Sequence, residues 1–278
     1  MAIQHLFQHA LNEDAPTSDI TSDWLLDSNT QATAQAVIKS PGIFFASPVL
    51  TDCLQAMPNV AIEQCIPDGA PVSPNDIALR LQGGLQDILH IERTLLNFIQ
   101  RLSGIATITH QFVTALNDPS IQVLDTRKTT PLLRAYEKQA VRAGGGYNHR
   151  FGLHDMMLVK ENHLKAYKNE WHRLNEKLAQ HKKTFPHIQI EVEVASIDLL
   201  HVLDVANIDI IMFDNMTISE LTHCLAVLNE RPAPPLVEVS GNIALSTIGR
   251  YRGTGINRIS VGSLTHSVTA LDVSLLVL

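Results

Sequence analysis

The stretch Asp125 to Lys160, DTRKTTPLLRAYEKQAVRAGGGYNHRFGLHDMMLVK, gathers Arg127, Lys128, Arg134, Lys138, Arg142, Arg150 and Lys160 against only Asp125, Glu137 and Asp155. It also carries His149, His154 and the run Gly144-Gly145-Gly146. The whole chain has a formal net charge of -7, so a cationic patch within it needs a cause. One cause is a small, multiply charged anion held in a pocket; the other is a solvated basic face, and charge alone leaves both open. Arginine presents a planar fork matched to a carboxylate, and lysine a point charge suited to phosphate.

Further candidates lie downstream, each directly after a short apolar run. Lys160 follows Met156–Val159, Glu193 lies near the end of Ile188–Val194, and Asp214 follows Ile208–Phe213. Ser240-Gly241-Asn242 follow Leu236–Val239, and Gly262-Ser263 follow Arg258–Val261. Asp125, Arg127 and Lys128 follow a first run, Ile121–Leu124. Two carboxylates suit Mg²⁺ or sugar hydroxyls, because hard cations choose oxygen ligands. The two glycine-containing turns are expected before helix N-termini, where backbone N–H groups cradle a phosphate.

The elements that must position these residues follow from the pattern. Six apolar runs separated by helix-like sequence predict strand–helix units and a parallel sheet. In a βα barrel the C-terminal strand ends converge on one mouth, where active sites are built. Residues 109–278 fall short of the ~250 residues of a full eight-stranded barrel, so an incomplete, TIM-like α/β barrel is expected. Pro131 is read as a first-turn proline and Gly144 as a helix stop. Ser196 is expected to open a helix with Leu199, Leu200 and Leu203 on one face.

Residues 1–108 read as a separate α/β unit. Ile3–Leu11 predicts a short amphipathic helix, and NEDAPTSDITSD a turn-rich segment. Ala32–Lys39, Val60–Ile66 and Ile77–Leu81 predict strands, with turns at Pro41-Gly42, Asp68-Gly69 and Gly83-Gly84. Leu89–Arg101 predicts a helix whose apolar stripe includes Ile91, Leu95, Phe98 and Ile99, with Arg93 on another face.

Composition removes several classes. The negative charge argues against general binding to nucleic acid or acidic membranes. There is no run of about 18 apolar residues for a membrane span. Cys53, Cys65 and Cys224 form neither a disulfide framework nor a zinc site. The start MAIQHLFQHALNEDAP does not read as a secretion signal, so a cytoplasmic location is expected. Neither a phosphate-loop nor a dinucleotide fingerprint, a nucleophile elbow or a zinc helix is present.

At these residues the chain resembles the quinolinate phosphoribosyltransferases. The resemblance is carried by EDAPTSDITSD (13–23), IPDGAPVSPND (66–76), ERTLLNFIQRLSGIAT (92–107), the central segment from Asp125 to Asp155, LVKENH (158–163), EVEV (191–194), FDN (213–215), EVSGNI (238–243) and GINRISVGSLTHSV (255–268). It implies an N-terminal α/β sandwich (1–108, joined by residues from about 267) beside an incomplete barrel (109–278) bearing the catalytic site. It implies a homodimer with a shared active site, with assembly beyond the dimer left open. By this resemblance Arg127, His149, Arg150 and Lys160 bind the two quinolinate carboxylates, and Arg93 reaches the partner's site. Thr126 belongs to the same binding loop, and Lys128 faces the diphosphate. Glu193 and Asp214 hold ribose hydroxyls and Mg²⁺, and Ser240, Gly241, Asn242, Val261, Gly262 and Ser263 bind the 5-phosphate. Two positions depart from the family: Leu132 stands where glycine is usual after TTP, and Ala143 where cysteine is usual.

The implied reaction joins quinolinate to phosphoribosyl diphosphate with loss of CO₂, with Lys128, Glu193 and Asp214 as its catalytic residues. Two alternatives are a related transferase with another acceptor (nicotinate, or a molybdenum-linked paralogue) and a non-catalytic phosphometabolite-binding protein. Everything depends on Arg127, Arg150 and Lys160 facing one another around a dianion.

Overall fold

The computed structural model describes residues 6–167 and 170–278. The first half of the chain runs α1 (Leu6–Asp14), α2 (Ile20–Leu25), β1 (Gln31–Ile38), β2 (Gly42–Ile43), α3 (Ser47–Ala56), β3 (Ala61–Cys65), β4 (Pro71–Val72), β5 (Ile77–Gly84) and α4 (Leu85–Leu116). Then come β6 (Gln122–Leu124), α5 (Arg134–Ala143), β7 (Met157–Val159), α6 (Glu161–Lys165), α7 (Trp171–Thr184), β8 (Ile190–Val194) and α8 (Ile197–Val202). The chain closes with β9 (Ile210–Asp214), α9 (Ile218–Asn229), β10 (Leu236–Ser240), β11 (Arg258–Ser260), α10 (Ser263–His266) and β12 (Val273–Val277). Two compact units form: residues up to His110 with Thr129–Gly145 and Leu264–Leu278, and Gln111–Lys128 with Gly146–Ser263. The division thus falls inside α4, and Thr129–Gly145 groups with the first unit rather than with the barrel.

The first unit carries a four-stranded antiparallel sheet, β12-β1-β5-β3, in which the C-terminal strand pairs Ala34 with Val277. Its core is made by α4. Ile88, Ile91, Leu95, Ile99 and Leu102, spaced three and four apart, are each no more than 1% exposed. Truncating one such residue costs about 2–5 kcal/mol. The helix is longer at both ends than its sequence pattern predicted. Gly83 and Gly84 do not form a turn but end β5, paired with Ala32 and Gln31, and the chain passes straight into α4. Gly42 likewise opens a strand. Gly104 does not stop the helix: a Cβ there would sit 2.3 Å from the Thr269 carbonyl oxygen, so glycine serves close approach. The described part of α1 runs on to Asp14, past the predicted end at Leu11, and the predicted Ile3–His5 lie outside the described residues.

α5 also belongs to this unit. It starts at Arg134, so Pro131 sits in the preceding turn and not in the first helical turn, while Gly144 does cap its end. Glu137, fully buried, accepts from Arg101 Nε at 3.0 Å and Nη2 at 2.7 Å. Its other oxygen accepts from the Thr130 N–H at 3.1 Å. This pins the TTP turn. Within it Leu132 has φ +69°, and it is the one non-glycine residue at positive φ among the described residues that is not an asparagine.

The second unit is a six-stranded, all-parallel sheet in the order β6-β11-β10-β9-β8-β7. All six apolar runs became strands, each within two residues of its predicted start. Side chains alternate across it. One face carries Ile190, Val192, Val194, Ile211, Phe213, Val237, Val239 and Ile259, all buried. The other face carries Glu191, Glu193, Met212, Asp214, Glu238, Ser240, Arg258 and Ser260, as the pairing of Glu193 with Met212, Met212 with Glu238 and Glu238 with Arg258 requires. Tyr147 adds a parallel bridge to Leu124, outside β6. The polar face is the inside of a curved wall: His149, two residues beyond that bridge, touches Glu191 on β8 at 2.9 Å. Four strand steps separate β6 from β8, which is about 19 Å across a flat sheet. The sheet therefore curls into an incomplete barrel.

Candidate active site

Because all six strands are parallel, their C-terminal ends share one edge. Asp125–Lys128, Lys160, Glu193, Asp214, Ser240–Asn242 and Gly262–Ser263 stand at that edge. The placement read from the sequence is thus met by the topology.

The cationic side is built on the chain after β6 and on the Tyr147–Arg150 segment beside it. Asp125 is fully buried, and its Oδ1 accepts from the His149 N–H at 2.9 Å. Thr126 Oγ1 accepts from the Lys128 N–H at 3.1 Å, shaping the loop that carries Arg127. Burial and the neighbouring Arg127 guanidinium press the Arg150 pKa below its usual value, opposed by Glu191 and Asp155. Two guanidinium groups within electrostatic reach of one another disfavour each other's charge until an anion joins them. Arg150 Nη1 donates to the Met156 carbonyl at 3.2 Å. Arg150 also lines a cavity of about 520 Å³ with Met157, His163, His181 and Phe185, a volume suited to a small molecule.

The ring of His149, which the resemblance assigns to a substrate carboxylate, stands beside two glutamates on the polar face. Nε2 lies 2.9 Å from Glu191 and 3.4 Å from Glu238, and Arg258 Nε lies 3.0 Å from Glu238 as an ion pair. Both glutamates are fully buried. Burial opposes a charged ring, but the hydrogen bonds and charges of Glu191 and Glu238 outweigh it and raise the His149 pKa to about 9. Burial also raises the Glu191 pKa. The group therefore holds one proton more than free side chains would at neutral pH. Counting Arg258, two cationic groups then face two carboxylates, which suits a buried site. The Arg150 N–H points at Nδ1 from 2.7 Å, which disfavours a proton on that nitrogen.

The acidic side is more open. Lys160 Nζ lies 3.7 Å from Glu193, with the lysine side chain 52% and the glutamate 16% exposed. The Lys160 N–H donates to His163 Nδ1 at 2.9 Å, at the start of α6. Asp214 accepts from Asn215 Nδ2 at 2.8 Å, and Asn215 in turn accepts from Asn242 Nδ2 at 2.9 Å. Gly241 has φ +95°, and a Cβ there would meet Asn215 Oδ1 at 2.2 Å, so this turn requires glycine. The turn does not precede an α-helix as expected; a single 3-10 turn at Ile248–Tyr251 follows. The Val261 N–H donates to the Leu124 carbonyl at 2.9 Å and is not a phosphate donor in this structure. Glu193 and Asp214 supply the hard oxygen donors that Mg²⁺ takes. The His149–Glu191–Glu238 group could hold a metal by spacing, with Arg258 Nε 3.0 Å from Glu238 as a competing cation.

Arg93 stands on α4 in the other unit, with its side chain 60% exposed. The sequence reading passed over Glu191, Glu238, Arg258 and Asn215. The signal was available for the first two: acids at every second position of EVEV and VEVS lie on the same strand face as Glu193 and Ser240.

An incomplete parallel barrel with Arg127, Lys128, Lys160, Glu193 and Asp214 at the C-terminal edge of its strands has the plan of a barrel enzyme, whose active site sits at that edge. The chain belongs to the quinolinate phosphoribosyl transferase family: the family's N-terminal domain matches residues 19–103 and its C-terminal domain residues 105–276. It is 39% identical over 99% of its length to the probable nicotinate-nucleotide pyrophosphorylase [carboxylating] of Bacillus subtilis, covering 93% of that protein. It is 33% identical to the nicotinate-nucleotide pyrophosphorylase [carboxylating] of Mycobacterium leprae, over 99% of this chain and 96% of that one. The crystal structure of NadC from Streptococcus pyogenes superposes with a TM-score of 0.90 at 37% identity, over 99% and 97% of the two chains.

Proposed function

We propose that this chain transfers the phosphoribosyl group of phosphoribosyl diphosphate to the ring nitrogen of quinolinate, releasing diphosphate and CO₂ and forming nicotinate mononucleotide for NAD synthesis. Family membership supports the reaction. The observation that supports it at the site is the shared edge: Asp125–Lys128, Lys160, Glu193, Asp214, Ser240–Asn242 and Gly262–Ser263 all stand at the C-terminal ends of the parallel strands.

The pyridine nitrogen attacks the anomeric carbon, and the bond to diphosphate breaks with its electron pair on the leaving oxygen. Positive charge builds on the ribose in the transition state, and Glu193 and Asp214 stabilise it. The bond from ring carbon 2 to its carboxylate then breaks. Its electron pair stays on carbon 2, beside the cationic nitrogen, until a proton is taken up there. Arg127, Arg150 and Lys160 hold the dianion so that its nitrogen faces the ribose, and such positioning supplies much of the rate. Lys128 faces the diphosphate, and Ser240–Asn242 with Gly262 and Ser263 face the 5-phosphate. Glu193 and Asp214 would hold Mg²⁺, which would supply positive charge against the leaving diphosphate. The active form is a homodimer in which Arg93 enters the partner's site, acting in the cytoplasm. Among the described residues no helix is long and apolar enough to cross a membrane.

The deciding assay follows quinolinate loss and CO₂ release together in purified protein with Mg²⁺ and phosphoribosyl diphosphate. One CO₂ per quinolinate, abolished by a metal chelator and restored by Mg²⁺, is the expected result. Turnover of nicotinate without CO₂, or binding without turnover, would replace this reading.

A further inference from the structure

Barrel interiors are filled chiefly by branched aliphatic side chains. Here the second layer below the mouth is instead ionic: His149, Glu191, Glu238 and Arg258, with both glutamates fully buried. Apolar residues of equal volume stabilise a core as well as a buried ion set does, and often better. Stability alone therefore does not account for the cluster. What it fixes is one point of the main chain. His149 is held three ways: its N–H by Asp125 Oδ1, its Nδ1 by the Arg150 N–H, and its Nε2 by the two glutamates. Asp125 lies two residues before Arg127, and Arg150 directly follows His149.

We infer that Glu191 and Glu238, with Arg258 behind them, are positioning residues for the acceptor carboxylates. They act through His149 to hold the backbone from which Arg127 and Arg150 reach the substrate. This rests on the proposed role of Arg150. The physical need is specific. Arg127 leaves the chain two residues after Asp125, and Arg150 one residue after His149, so the tie between Asp125 and His149 sets where both guanidinium groups start. A fixed backbone there limits the positions both can reach, as orienting a rigid aromatic dianion requires. A largely buried ionic cluster, with two glutamates facing a histidine and an arginine, supplies that rigidity. Glu193, on the same strand face, belongs to the ribose side and is not part of this support.

The test uses Glu191→Gln and Glu238→Gln, which keep volume and one acceptor oxygen. KM for quinolinate is expected to rise at least tenfold. KM for phosphoribosyl diphosphate should stay within about twofold and kcat within about threefold. A purely structural role would move both KM values together, or lower the melting temperature and move neither; either result overturns the inference. If the glutamine variants do not fold, Glu191→Asp, which keeps the charge but shortens the reach to His149, is measured the same way. In Arg150→Ala, adding Glu191→Gln should raise the quinolinate KM no further, since the glutamate acts through the arginine. A further rise in the double variant counts against the mechanism. If Arg150→Ala itself leaves the quinolinate KM unchanged, the site reading fails first. If Arg150→Ala raises it and Glu191→Gln does not, only the positioning role fails.

Discussion

His149 and Glu191 are separated by four strands of the sheet and by 2.9 Å in space. That single contact measures how far the sheet has curled, and it ties the cationic side of the mouth to the strand that carries Glu193. The same contact makes the protein's stability depend on pH.

The pKa of His149 is raised in the folded state to about 9, so the fold holds a proton that the unfolded chain, near pKa 6.5, releases. The stabilisation is complete below pH 6.5 and is lost as pH rises through 9. Its upper bound is about 3 kcal/mol, from 1.36 kcal/mol per pKa unit. Melting temperature should fall between pH 6.5 and 9, and His149→Gln should flatten that slope. An unchanged slope in the variant would place the titrating group elsewhere.

Arg150→Ala removes a charge-assisted contact to a substrate carboxylate, worth about 1.5–3 kcal/mol. Initial-rate kinetics should show the quinolinate KM up roughly 10- to 150-fold, with slower turnover. Kinetics like those of the parent protein would remove Arg150 from the site.

Arg93 is exposed on its own chain and is proposed to act in the partner's site. Mixing Arg93→Ala with Arg150→Ala subunits should restore part of the activity that each variant lacks alone, because one of the two sites in the mixed dimer is intact. Inactive mixtures, with exchange of subunits verified by mass, would count against a shared site.

Leu132 holds φ +69° while 66% exposed, so its side chain returns little for the strained backbone. The left-handed conformation costs a non-glycine residue about 1–2 kcal/mol, part of which the greater freedom of glycine in the unfolded chain offsets. Leu132→Gly is expected to stabilise by about 0.5–1 kcal/mol, read as a higher denaturant midpoint at constant slope. A lower midpoint would mean that the leucine makes a contact worth more than the strain.

Glu137 anchors the same turn through Arg101 and the Thr130 N–H. Glu137→Ala leaves Arg101 without its carboxylate and should lower stability by about 3–5 kcal/mol in denaturant unfolding. A loss below 1 kcal/mol would show that the pair is replaceable by water.

The sequence by itself determined the strands of the barrel, because six apolar runs can be buried only as strands between helices. It also determined which residues stand at the mouth, since parallel strands put every C-terminal end on one edge. The motifs around Arg127, Arg150, Lys160, Glu193 and Asp214 carried the family. The glycines at 42, 83 and 84 misled, because glycine marks close approach as well as turns, and only the opposing Asn59 carbonyl, 2.7 Å from where a Cβ would sit, shows which at Gly83. The tertiary structure alone decided the meeting of His149 with Glu191, Glu238 and Arg258. Local spacing cannot encode that meeting: it depends on the curvature of the whole sheet, which brings residues from distant strands onto one interior point.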